Sequence, residues 1–176
     1  MISSLKLLIT KIFYLFFPCF RLGLNYFCAI TKYSKLVLSH LSNKSSANLQ
    51  ASTMLINNEL YASSVHCSYY AVLQHMTCIL NEKLKLSFEL ILKKSNGPGS
   101  HNYVIDTTIS YLISKIDSTE SIIKEVEKTN IYKLKSKIRD LKLLRVESDY
   151  HNLEIDSLKS QKSLNMSQEI IKKLNS

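Results

Sequence analysis

The chain has 176 residues with only 3 Gly and 2 Pro, and its 23 Lys and Arg against 14 Asp and Glu give a net charge of +9. One domain is the expected number for this length, and so few turn residues exclude a β-sandwich or barrel in favour of long helices. The charge is uneven: six of the basic residues and none of the acidic ones fall within the first 44 positions. That leaves 17 against 14, or +3, for the rest, so charge by itself is a weak pointer to nucleic acid for the remainder.

Residues 1–44 form an apolar, basic N-terminal segment. IFYLFFPCF (12–20) and LGLNYFCAIT (22–31) are divided by Arg21 and flanked by Lys11 and Lys32. Neither run reaches the ~20 apolar residues of a spanning helix. Three readings stay open here: a start-site artefact, with the working protein beginning near residues 38–45; a membrane-associated segment over residues 5–31; and a packed extra helix. Cys19, Cys28, Cys67 and Cys78 make no CxxC pair. The pattern fits reduced, buried thiols in the cytoplasm better than a zinc site or a disulfide frame. The scattered Asp and Glu offer no metal spacing either, so neither a metal nor another cofactor is expected.

Residues 45–176 read as a helical domain. SSANLQASTMLINNEL starts with Ser45 or Ser46 as an N-cap and places Ala47, Leu49, Ala51, Met54, Leu55 and Ile56 on an apolar face. After a break at Asn57–Asn58, residues 59–80 run without Gly or Pro, with Ala62, Val65, Tyr69, Val72, Met76 and Ile79 at steps of three and four. Residues 82–94 read as a loop with a short helix. SNGPGS (95–100) is a break, with Ser100 as the next N-cap. Residues 101–116 supply a third core face, and 118–129 are polar and helical. Ile131, Leu134, Ile138, Leu141 and Arg145 then share one stripe, and a last helix from about Asp156 points Leu158, Leu164, Ile170, Ile171 and Leu174 one way. The expected fold is all-α, an up-and-down bundle of four to five helices.

The informative stretch is LKLLRVESDYHN (141–152). Arg145 lies on the apolar stripe, where an unpartnered guanidinium costs several kcal/mol. It therefore needs Asp149, a tyrosine hydroxyl or an external phosphate. His151 follows six positions later, about 600° around a continuing helix, and meets Arg145 only if the chain folds back. That pair suits transesterification of RNA: a neutral histidine takes the 2′-hydroxyl proton and an arginine steadies the phosphorane. His66, on the long helix, can line the same cleft or serve as a hydrogen-bonded core residue. Tyr69 and Tyr70 are stacking candidates or core.

LYASSVHCSYYAVLQHMTCIL (60–80), GSHNYVI (99–105) and LKLLRVESDYHN together resemble the HEPN superfamily, with its YYA helix and its Arg-to-Asp-Tyr helix end. The resemblance covers about three quarters of the chain and leaves out the first 44 residues. It implies a helical bundle that dimerises. It also implies a bacterial toxin or defence role as a metal-independent endoribonuclease, with Arg145 and His151 catalytic and Asp149, Tyr150 and His66 in support. RNA is the implied substrate, and an antitoxin or nucleotidyltransferase the implied partner. The alternatives are a non-catalytic interaction module, in which Arg145 and Asp149 form a structural pair at the helix end.

Overall fold

A computed structural model describes residues 40–95, 100–116, 121–151 and 153–176. The readings made for residues 1–39 lie outside them. Every regular element among the described residues is a helix, with no strand among them. Helix α1 runs through residues 40–57. It is followed by α2 (Tyr61–Leu84), α3 (Phe88–Lys94), α4 (Ser100–Ile116), α5 (Ser121–Tyr150) and α6 (Ser157–Leu174).

The long helix α2 is the hub and packs against α4, α5 and α6. Its Tyr69, Val72, Met76 and Leu80 meet Val104, Ile105 and Ile109 of α4, Leu134, Ile138 and Leu141 of α5, and Ile170 of α6 in one core. The spacing of these side chains along each helix is the three-and-four step that an amphipathic helix buries. Contact pairs set the directions. His66 meets Asp149 and Tyr70 meets Arg145, so α2 and α5 are antiparallel. Ser64 meets Ser160 and His75 meets Asn175, so α2 and α6 run parallel.

The termini follow local chemistry. Lys85 ends α2 in the left-handed region (φ 55°) and its backbone N–H donates to Leu80 O. Asn81 Nδ2 also donates to Leu86 O at 2.6 Å. Ser87 caps α3 by accepting from Leu90 N–H. Asp156 caps α6 by accepting from Lys159 N–H at 2.7 Å, one orphan donor of the first turn satisfied.

Several expectations are corrected. Ser45 is not a cap: it lies inside α1, buried, and its hydroxyl donates to Ala71 O at 2.8 Å. Residues 40–44, read with the N-terminal segment, belong to the same helix, and Leu41 is buried. Ser100 is the first helical residue of α4. Residues 121–129, read as polar and helical, and the stripe that follows them lie on one helix, α5, continuous from Ser121 to Tyr150.

The stripe expected for α6 holds at Leu164, Ile170 and Leu174, which are buried, and at Ile171, which packs against the core; Leu158 and, on α1, Met54 fall outside the buried faces. Met54 is 66% exposed and Leu158 is 80% exposed. Serines share the buried faces of these helices. Ser45 and Ser52 of α1, Ser64 and Ser68 of α2, and Ser160, Ser163 and Ser167 of α6 are all buried. Ser52 bonds Ser68 at 2.8 Å, and Ser64 bonds Ser160. Ser163 and Ser167 turn their hydroxyls onto Ser160 O and Leu164 O of their own helix. Small side chains let the helix backbones approach, and each of these hydroxyls has a hydrogen-bond partner, so none of the seven is buried unpaired.

Candidate functional site around Arg145

Arg145 stands where the core stripe of α5 runs out toward the helix end. One turn earlier Leu141 is fully buried, and Ile138 before it likewise. The Arg145 side chain is 12% exposed. Its Nε lies 2.6 Å from Asp149 Oδ2, one turn on in the same helix. The carboxylate is poorly aligned with the N–H, so this contact is an ion pair rather than a hydrogen bond. Nη2 donates to Tyr70 Oη at 3.2 Å and Tyr150 Oη at 3.3 Å. The guanidinium also lies 5.4 Å from the centre of the Tyr70 ring and 5.0 Å from that of Tyr150, within cation–π range. Burial works against its charge. The Tyr150 hydrogen bond, with Tyr70 and Asp149, outweighs burial and holds Arg145 above its ordinary value.

The second helix brings a histidine to the same carboxylate. His66 Nδ1 lies 2.9 Å from Asp149 Oδ2, with the side chains 45% and 17% exposed. The His66 ring sits 4.5 Å, centre to centre, from that of Tyr70, one turn further along α2. Ala62, Ser63, His66 and Cys67 of α2 face Arg145, Ser148, Asp149 and Tyr150 of α5 across an open recess of about 510 Å³. Arg145, Asp149, Tyr150 and His66 are thus gathered in one place. His151 is exposed just beyond the end of α5, where its backbone N–H bonds Glu147 O at 3.2 Å, and it is not part of the recess wall.

Sequence reasoning missed Tyr70 as a specific partner of Arg145. The signal was present, since Tyr70 lies one helical turn after His66. Its neighbour Tyr69 is core, fully buried. The Tyr69 hydroxyl meets His101 Nδ1 at 2.8 Å. Burial first, then the positive charges of Lys142 and Arg145, push His101 below the ordinary histidine value. A neutral ring lets the Tyr69 hydroxyl, raised chiefly by burial, donate to Nδ1. Lys142 is lowered by burial, then by Arg139 and Arg145, against the pull of Asp106. Basic groups therefore accumulate along α5 toward the site.

The His101 environment predicts a pH dependence. An unfolded histidine titrates near about pH 6.5, and the folded one titrates lower. Between those values the unfolded chain binds more protons, so stability falls as pH drops through about 6.5 toward the folded value. His101→Gln is expected to lose less melting temperature between about pH 7.5 and about pH 5 than the wild type. An equal loss in calorimetry would contradict the assignment.

Both described cysteines, Cys67 and the buried Cys78, are free thiols. Among the described residues no group of three His, Cys, Asp or Glu side chains is placed to hold a metal. No helix among them is long and apolar enough to cross a membrane.

No protein family, curated protein or solved structure matches this chain. The functional reading therefore rests on the site itself and on the resemblance of its motifs.

Proposed function

We propose that this chain is a HEPN-like protein that acts on RNA, as a metal-independent endoribonuclease of a toxin–antitoxin or defence system. The observation that carries the reading is the Arg145 guanidinium, charged and 12% exposed, lying over two tyrosine rings at the edge of an open recess. A planar fork of donors suits a phosphate, and tyrosine rings suit bases or the guanidinium itself. Lys142 and Arg139 nearby give the phosphate backbone a basic approach. In this reading Arg145 steadies the negative charge that develops on phosphorus, and a histidine at this end of α5 takes the 2′-hydroxyl proton. The working form is a homodimer in the cytoplasm that sets two such motifs near each other. An antitoxin or a nucleotidyltransferase-type protein is its regulatory partner.

The full chain, incubated with single-stranded RNA and a chelator, is expected to shorten the RNA and to leave DNA of the same sequence intact. RNA that stays intact, or DNA cut equally, would contradict the proposal.

The short Arg145–Asp149 contact favours a second reading, in which the arginine is satisfied within its own helix. The bundle is then a non-catalytic module that pairs with such a partner. Overexpression separates the two: growth arrest that requires Arg145 belongs to the nuclease, and indifferent growth to the module.

A further inference from the structure

We infer that His66, oriented by Asp149, is the residue that takes the 2′-hydroxyl proton at the Arg145 site; this rests on the RNA-cleaving reading above. His66 Nδ1 is held 2.9 Å from Asp149 Oδ2. A carboxylate on one ring nitrogen fixes the tautomer and the ring plane, and leaves Nε2, on the opposite edge, as the base. The Tyr70 ring, 4.5 Å away and tilted by 30°, packs against the imidazole. The His66 side chain is 45% exposed, so solvent and ligand reach it.

The same Oδ2 lies 2.6 Å from Arg145 Nε. One carboxylate thus ties the proton acceptor to the phosphate holder and fixes their spacing across the recess that both side chains line. His151 has none of this support: it stands exposed past the helix end, and its hydrogen bond runs from its backbone N–H to Glu147 O. The Arg-to-His spacing in sequence therefore points to one imidazole, and the fold brings a different one to the site.

The step balances without a co-reactant beyond water. Nε2 of His66 removes the 2′-hydroxyl proton, and the 2′-oxygen bonds to phosphorus while Arg145 neutralises the equatorial oxygens. The bond from phosphorus to the 5′-oxygen breaks, the leaving oxygen takes a proton from water, and the imidazolium returns its proton to solvent. The products are a 2′,3′-cyclic phosphate and a 5′-hydroxyl.

The test uses full-length wild type, His66→Ala and His151→Ala on single-stranded RNA in a chelator, with and without added imidazole. Melting curves show that each variant is folded, and His66→Gln serves as a second variant of closer volume. Cleavage is expected to fall at least about 100-fold in His66→Ala and His66→Gln. Imidazole, entering the vacated recess, should restore cleavage at least about tenfold in His66→Ala, and His151→Ala should cleave as the wild type does. A mere scaffold role for His66 would not respond to imidazole. Unchanged cleavage in His66→Ala, or a loss that imidazole does not relieve, overturns the assignment and leaves Arg145 in place. Absence of cleavage by the wild type overturns the nuclease reading, and this inference with it.

Discussion

Arg145→Ala is expected to lower RNA cleavage by at least about 100-fold, the usual cost of losing one group that stabilises developing charge, while the bundle stays folded. The fold survives because the change strands little: the part-buried Tyr70 hydroxyl loses its donor, and the core is untouched. Asp149 keeps His66 at 2.9 Å. The Tyr150 hydroxyl is at the surface, where water replaces the lost donor. The core stripe ends one turn earlier at Leu141. Arg145→Lys is expected to recover little, because an ammonium keeps the charge but loses the planar fork that bonds Tyr70 and Tyr150 and presents paired donors to phosphate. Initial rates on RNA, with circular dichroism and melting curves on the same samples, check both statements. A folded Arg145→Ala protein that cleaves at the wild-type rate would remove Arg145 from the chemistry.

The second large effect is on stability. Ser160→Leu places a branched side chain where α6 approaches α2 closely enough for the Ser160 and Ser64 hydroxyls to bond. Ser160 is fully buried, as are Ser64 opposite and Ser163 on the next turn. Side chains this small leave no room for three added carbons without moving a helix. Overpacking of this kind costs about 1–3 kcal/mol, against a typical whole-domain stability of about 5–15 kcal/mol. At about 2–4 °C per kcal/mol for a chain of this size, the melting temperature should fall by roughly 2–12 °C. Ser160→Ala keeps the packing and costs little, since Ser64 still donates to Tyr61 O at 2.8 Å. A Ser160→Leu protein that melts like the wild type would mean the seam is loose.

The same seam explains which parts of the fold were legible in the sequence. Where leucine, isoleucine and valine carry the buried face, as in Leu134, Ile138 and Leu141 of α5, the three-and-four spacing located the core directly. The position of Arg145 at the end of that stripe foretold a partnered guanidinium, and Asp149 with two tyrosine hydroxyls supplies the partners. Where serine carries the buried face, apolar periodicity has nothing to register. Leu164, Ile170 and Leu174 of α6 are buried where their spacing puts them, but Leu158 and Met54 are exposed, and the buried Ser160, Ser163, Ser45 and Ser52 give no apolar signal.

The His66–Asp149 contact was out of reach for a different reason. The two residues are 83 positions apart. Their meeting depends on the antiparallel register of α2 against α5, which no spacing within one helix encodes. His151 is the histidine that the resemblance singles out, six positions after Arg145, and its place beyond the end of α5 is likewise invisible to spacing alone.

End-group analysis of the RNA fragments tests the central claim most directly. Transesterification at Arg145, with the 2′-oxygen as nucleophile, predicts fragments that end in 2′,3′-cyclic phosphate and begin with 5′-hydroxyl when the full chain cuts RNA in a chelator. Fragments with 3′-hydroxyl and 5′-phosphate ends, or no fragments at all, would contradict it.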